Sequence, residues 1–239
     1  MAAAKTIRPG THRFYYGVSI ALALLVCAGF ARTYYLKELY ATPALPILLH
    51  IHGAVMTLWY VLFIVQVRLV AAHRVALHRK LGVAGLFLAG LVAILGTIVS
   101  LGLAKRDLLS PPDSAAAPIL LAFQLFGIVL VFVILVSLAI YWRRRPDYHK
   151  RLMVLAMLSL LGPALTRLPL PFVANHDVAV AIGMSACCLL ACVLTDTALN
   201  RRLHPAFGWG GSLMIASIFA IGAFAQSALW TGLVRWLLL

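Results

Sequence analysis

Seven apolar runs fill most of this 239-residue chain, at roughly 14–31, 45–70, 81–104, 116–142, 152–168, 178–199 and 210–234. Most approach or exceed the ~20 residues that a membrane-crossing helix needs. The first and fifth are the shortest. Prolines and charges separate them. Pro43 and Pro46 precede the second run, Pro111 and Pro112 divide the third from the fourth, and Arg143, Arg144, Arg145 and Pro146 follow the fourth. Pro169 and Pro171 close the fifth, and His204 and Pro205 lead into the seventh. Such clusters mark helix boundaries.

The chain is 64% hydrophobic and 11% charged, with a mean hydropathy of +1.01. A soluble domain is about half apolar and a quarter charged. No water-soluble core of this length hides so much apolar surface, so the bilayer must act as solvent, and in lipid every backbone polar group must be paired internally. The expectation is an all-α polytopic transmembrane bundle of about seven helices, forming one domain over 1–239.

The formal net charge of +14 does not point to nucleic acid. No basic run is long or interleaved with aromatic residues as a nucleic-acid surface is. Lysine and arginine instead gather before the first run and after the second, fourth and sixth, and Arg151 counts among them. By the positive-inside rule, these places face the cytoplasm. The N-terminus is then cytoplasmic and the C-terminus external. Lys5, Arg8 and Arg13 ahead of a modest apolar run also suit a signal peptide. Ala21-Leu22-Ala23 sits in mid-run and Val26 is too large for a lipoprotein signal, so the first run is read as a span. Cys27, Cys187, Cys188 and Cys192 lie inside apolar runs and read as buried structural thiols.

Polar residues inside membrane helices are expensive and usually face a bundle interior or a site. His50 and His52 fall early in the second run, beside Gly53, which permits close approach. Two residues along a helix turn about 200°, so these imidazoles point to nearly opposite faces. His176 opens the sixth run on the same, outer side, and Arg167 closes the fifth there. His73, His78, His149 and His204 belong to the inner side, with Asp147 and Asp196 nearby. His78-Arg79-Lys80-Leu81-Gly82 and His149-Lys150-Arg151-Leu152-Met153 form a faint repeat, equally well read as two independent basic loops. Gln66, Gln124 and Gln226 are intramembrane amides, suited to hydrogen bonds between helices or to holding a quinone carbonyl.

Three chemistries use such histidines. A b-type haem needs two axial imidazoles from different helices. Outside, His50 or His52 would pair with His176; inside, His78 would pair with His149. Transmembrane cytochromes place ligands well within helices, which favours His50 and His52 over the inner pair. Copper or zinc would use His50, His52 and His176. A proton relay is the weakest reading, because no carboxylate lies in the middle of a span.

Two stretches carry a resemblance. One is His50-Ile51-His52-Gly53 with Trp59 and Gln66, followed by Leu77-His78-Arg79-Lys80-Leu81-Gly82. The other is Tyr148-His149-Lys150-Arg151-Leu152-Met153, with Arg167 beyond. Over roughly residues 45–170 the chain resembles a group of bacterial predicted membrane proteins of unknown function. That group is similar, at a distance, to multi-helix b-type cytochromes. The resemblance implies a seven-helix fold and supports the choice of residues more than a reaction.

Three functions follow as expectations. The first is a b-haem-binding, redox-associated component with His50, His52, His78, His149, His176, Arg167, Gln66 and Gln124 as candidate cofactor residues. The second is a cofactor-free accessory subunit of a larger membrane complex, motivated by small-residue faces at Gly82–Gly85 with Ala89 and Gly90, and at Gly208–Gly211. The third is a transporter or metal-handling protein. Expected partners are the lipid bilayer, other membrane subunits and a quinone. No Ser-His-Asp arrangement, phosphate loop or paired carboxylates appear, which argues against soluble-type catalysis.

Overall fold

In the computed structural model, which describes residues 9–110, 115–170 and 178–239, the described residues contain helices and no strand. The helices are α1 (Pro9–Gly29), α2 (Ile47–Ala71), α3 (Val75–Leu108), α4 (Ala117–Tyr141), α5 (Pro146–Ser159), α6 (Gly162–Leu165), α7 (Val178–Asn200), α8 (Pro205–Ala225) and α9 (Ala228–Leu238). Six of them, α1 to α4, α7 and α8, are long and apolar enough to cross a membrane. The chain is a multi-pass helical membrane protein on these grounds.

The outer helices are apolar towards their surroundings. Phe87 of α3 is 73% exposed and Phe219 of α8 is 74% exposed. In water such surfaces would aggregate; in a bilayer they meet hydrocarbon. α5 is the opposite case. Leu152, Val154, Leu155, Ala156 and Met157 are all fully buried. A stretch apolar all round, as α5 is from Leu152 to Leu158, belongs in a centre, and α5 is enclosed by α1, α4, α7 and α8.

Boundaries follow local chemistry. Proline sits at the first position of α5 and α8, where its missing N–H costs nothing. α2 ends with His73 at φ 58°. There Arg74 N donates to Leu69 O and His73 N to Val70 O, a left-handed C-terminal cap. α3 is 34 residues long and outruns the third apolar run at both ends. Arg79, Lys80, Lys105 and Arg106 stay helical because long basic side chains snorkel to the interface instead of ending the helix. The fifth run starts earlier than its apolar residues, at Pro146, and breaks ahead of Pro163, whose ring cannot continue a helix. The seventh run divides at Gln226 and Ser227. Ser227 accepts a hydrogen bond from Trp230 N at 3.3 Å and caps α9, which competes successfully with a continuous helix.

Packing is closest where glycine allows it. A Cβ on Gly210 would lie 2.5 Å from Leu155, and one on Gly29 would lie 2.2 Å from the Ala164 carbonyl oxygen. The tryptophans, most of which suit the interface by sequence, divide differently. Trp59 is 4% exposed, with its ring edge-on to Phe132 at 5.4 Å. Trp230 is buried and donates from Nε1 to Pro118 O at 2.7 Å, tying α9 to the start of α4.

Two glycine substitutions in one helix test this packing. Gly29→Ala must displace backbone, so a loss of about 1–3 kcal/mol is expected, read as a lower Tm in mild detergent. Gly17→Ala, whose Cβ meets nothing within 4 Å, should leave Tm unchanged or slightly raised. Equal Tm values would contradict the close crossing of α1 and α6.

Candidate functional site

One end of the bundle carries the α2–α3, α4–α5 and α7–α8 connections and most of the basic residues. Its interior holds a buried ion pair. Arg151, in the second turn of α5, is 2% exposed and Asp196 of α7 is fully buried. Arg151 Nε donates to one Asp196 oxygen at 2.8 Å and Nη2 to the other at 3.0 Å. Arg151 Nη1 donates to the Asp147 carbonyl at 2.8 Å. Tyr15 of α1 donates its hydroxyl to Asp196 at 2.8 Å. The bidentate fork satisfies the planar guanidinium, and the phenol adds a third donor to the carboxylate. Three helices, α1, α5 and α7, are joined by one fully desolvated network.

By sequence alone Arg151 counts among the basic residues of the inner side, and no carboxylate lies in the middle of a span. The missed signal was the rarity of acid in this chain. Only six acidic residues exist, and one inside an apolar run calls for a buried cation.

A second polar group lies close by. The rings of His78 (α3) and His149 (α5) have centroids 6.2 Å apart at 82°. His149 Nδ1 lies 2.9 Å from the Ala139 carbonyl of α4. A carbonyl only accepts, so Nδ1 carries the proton and Nε2 keeps its lone pair. A backbone carbonyl holding the far nitrogen is the usual support of a metal-binding imidazole. His78 Nδ1 is buried without a partner, and so is Gln66 Oε1. The Gln66 side-chain amide approaches Gly82. Two nitrogens bonded at about 2.0 Å to a metal between them put ring centroids roughly 6 Å apart. The spacing and the donor set therefore fit a group held by two imidazoles.

The outer candidates are dispersed. Tyr34 leans on Gly53, where a Cβ would meet its ring at 2.4 Å, and donates to the His50 carbonyl at 3.1 Å. The Tyr34 and His50 rings are 5.9 Å apart. His52 Nδ1 is buried with no partner. Arg167 donates to Pro163 O at 2.6 Å and stacks over Phe30 at 5.3 Å, so it serves its own turn. His176 lies outside the described residues. Gln124 sits in a π-helical stretch of α4, Phe123–Leu130, and Gln226 bonds within its own turn. Among the described residues, no group of three or more His, Cys, Asp or Glu side chains is placed to hold a metal ion.

His204 completes the basic end. Its Nδ1 accepts from Ala206 N at 3.2 Å and caps α8, and its ring meets Tyr148 at 4.7 Å. Burial, and then the Arg151 charge, push its pKa down to about 4. Compared with family models, curated proteins and solved structures, the chain matches none.

Two predictions follow from this geometry. Asp196→Leu leaves the buried Arg151 with only the more exposed Asp147 carboxylate, at 3.6 Å, and should cost about 3 kcal/mol. The double variant Arg151→Met with Asp196→Leu should recover much of that Tm loss. A double variant as unstable as the single one would show that the pair is not coupled.

The second concerns acid. The folded His204 pKa lies below the unfolded value of about 6.5, so the unfolded chain binds the proton first as pH falls. The His204 contribution is complete above about pH 6.5 and is lost as pH falls towards 4. His204→Asn keeps a capping oxygen without titrating and should flatten the Tm–pH curve over that window. An unchanged curve would remove His204 as the sensor.

Proposed function

We propose that this chain is a redox-associated component of a bacterial inner membrane, with a b-type haem bound between His78 and His149. The observation that supports it most is the meeting of these two imidazoles, from different helices, with the His78 Nδ1 and Gln66 Oε1 atoms buried and unpaired. Buried polar atoms without partners are uncommon and call for an explanation such as a ligand. Bound haem would supply one-electron transfer. The protein's own part is to orient His149 through the Ala139 carbonyl.

The same reading counts α5 with α6 as a seventh pass. Arg151 of α5 meets α1 near Tyr15 through Asp196, and Ala164 of α6 meets α1 at Gly29. The central segment thus runs beside α1 along most of its length. The basic end then faces the cytoplasm by the positive-inside rule.

The accessory-subunit reading rests on the small-residue faces, which divide. Gly85 packs against Leu62, Gly210 against Leu155 and Gly211 against Leu189. These three are used within the fold, whereas Gly90 and Gly208 meet nothing within 4 Å and stay open to a partner.

A reduced-minus-oxidised absorption spectrum of detergent-purified protein, with elemental analysis of the same sample, tests the proposal. Sharp b-type bands near one haem per chain, lost in His78→Ala and His149→Ala and kept in His50→Ala, are expected. Bands lost only in His52→Ala would move the ligand set to the other end. A folded protein reconstituted with haemin that shows neither haem nor metal would refute the haem reading and leave the cofactor-free subunit ahead.

A further inference from the structure

The basic end also holds an open cavity of about 610 Å³, where α4 gives way to α5 and α7 to α8. Arg144, Arg145, Asp147, Tyr148, Arg202 and His204 are among the side chains that line it. Asp147 is its acid, and that carboxylate is engaged by Lys150 at 3.2 Å and Arg151 at 3.6 Å. Arg144, Arg145 and Arg202 form no ion pair among the described residues. His204 is 7% exposed. Its Nδ1 accepts from Ala206, so the ring proton is on Nε2, which has no hydrogen-bond partner among the described residues.

The backbone adds to the same field. α5 and α8 both begin at this cavity, and the residue that precedes α5, Arg145, makes no side-chain capping bond. Helix N-termini are the positive ends of their dipoles, and cations placed there are unfavourable. Three unpaired guanidiniums at two such ends are a costly arrangement alone and a favourable one around an anion.

The depth of the cavity selects the kind of anion. A cluster of aromatic rings lies beside it, with Trp142 against Tyr148 at 5.2 Å and against Trp209 at 5.3 Å. Such rings sit at the headgroup level of a bilayer, and α4 and α8 lead from there into the hydrocarbon. Basic pockets between helices at this level suit anionic headgroups. We propose that the cavity binds the phosphate headgroup of an anionic phospholipid, with Arg144, Arg145 and Arg202 as its charge partners and His204 Nε2 as a neutral donor. This site is separate from the histidine pair and does not depend on the haem reading.

The full chain in nanodiscs of phosphatidylcholine, with or without phosphatidylglycerol, provides the test. Tm and lipid retention by native mass spectrometry are the readouts. Several-fold preferential retention of phosphatidylglycerol and a higher Tm are expected. Arg145→Gln with Arg202→Gln should abolish the preference while Tm in phosphatidylcholine alone stays near wild type. Arg68→Gln, a basic-end residue outside the cavity, should keep it. Where the double variant fails to fold, Arg202→Gln alone carries the comparison. Equal retention of both lipids, or a preference that survives loss of the cavity arginines, would overturn the proposal. Glycerol phosphate added to phosphatidylcholine nanodiscs should stabilise weakly; stabilisation equal to that of the lipid would replace the headgroup with a soluble phosphate ester.

Discussion

The contact between Arg151 and Asp196 governs the arrangement of this bundle. Two opposite charges removed from both water and lipid are tolerable only together, with their remaining hydrogen-bonding positions filled. The Asp147 carbonyl and the Tyr15 hydroxyl fill them. This requirement sets where α5 lies along its axis relative to α1 and α7. A shift of α5 by one turn would leave the buried Asp196 carboxylate without its guanidinium, in a medium that does not solvate it. Apolar packing alone is far less particular, because one leucine-rich helix face fits against another in several registers.

Once α5 is held in that register, its neighbours along the chain are placed too. His149 lies half a turn before Arg151 and points to α4, where the Ala139 carbonyl receives it. His78 approaches from α3. Arg144 and Arg145 precede α5 and face the α7–α8 connection. The histidine pair and the basic cavity therefore share one structural cause. Each takes part of its make-up from residues just outside, or just inside, the first turn of a helix whose depth the buried ion pair determines.

Much of the architecture was legible from the chain itself. Apolar run length predicts spanning helices because lipid leaves the backbone no other way to pair its polar groups, and six such helices are present. Their ends were less legible. Charged residues at 78–80 and 105–106 looked like loop and are helix, since an interfacial lysine or arginine needs no break in the backbone. The candidate site was legible as a set of residue types but not as a constellation. His50 and His52 looked the better ligands from their depth, yet depth says nothing about what stands opposite. His78 and His149 looked peripheral and lie against each other.

The sequence by itself determined the helical, membrane-spanning class of this protein and the end of the bundle near which most of its basic residues lie. These follow from hydropathy, helix rise and charge, all of which are local. Only the tertiary structure decided which helix is central, that Arg151 belongs to the core and not to a loop, and which polar groups meet. α5 is the shortest of the main helices before α9 and carries an arginine and a histidine near its start, so composition alone would place it at the edge. Its place at the centre comes from a long-range pairing between positions 151 and 196. No local property of either residue encodes that, because the energy of a buried charge depends on its partner and not on itself.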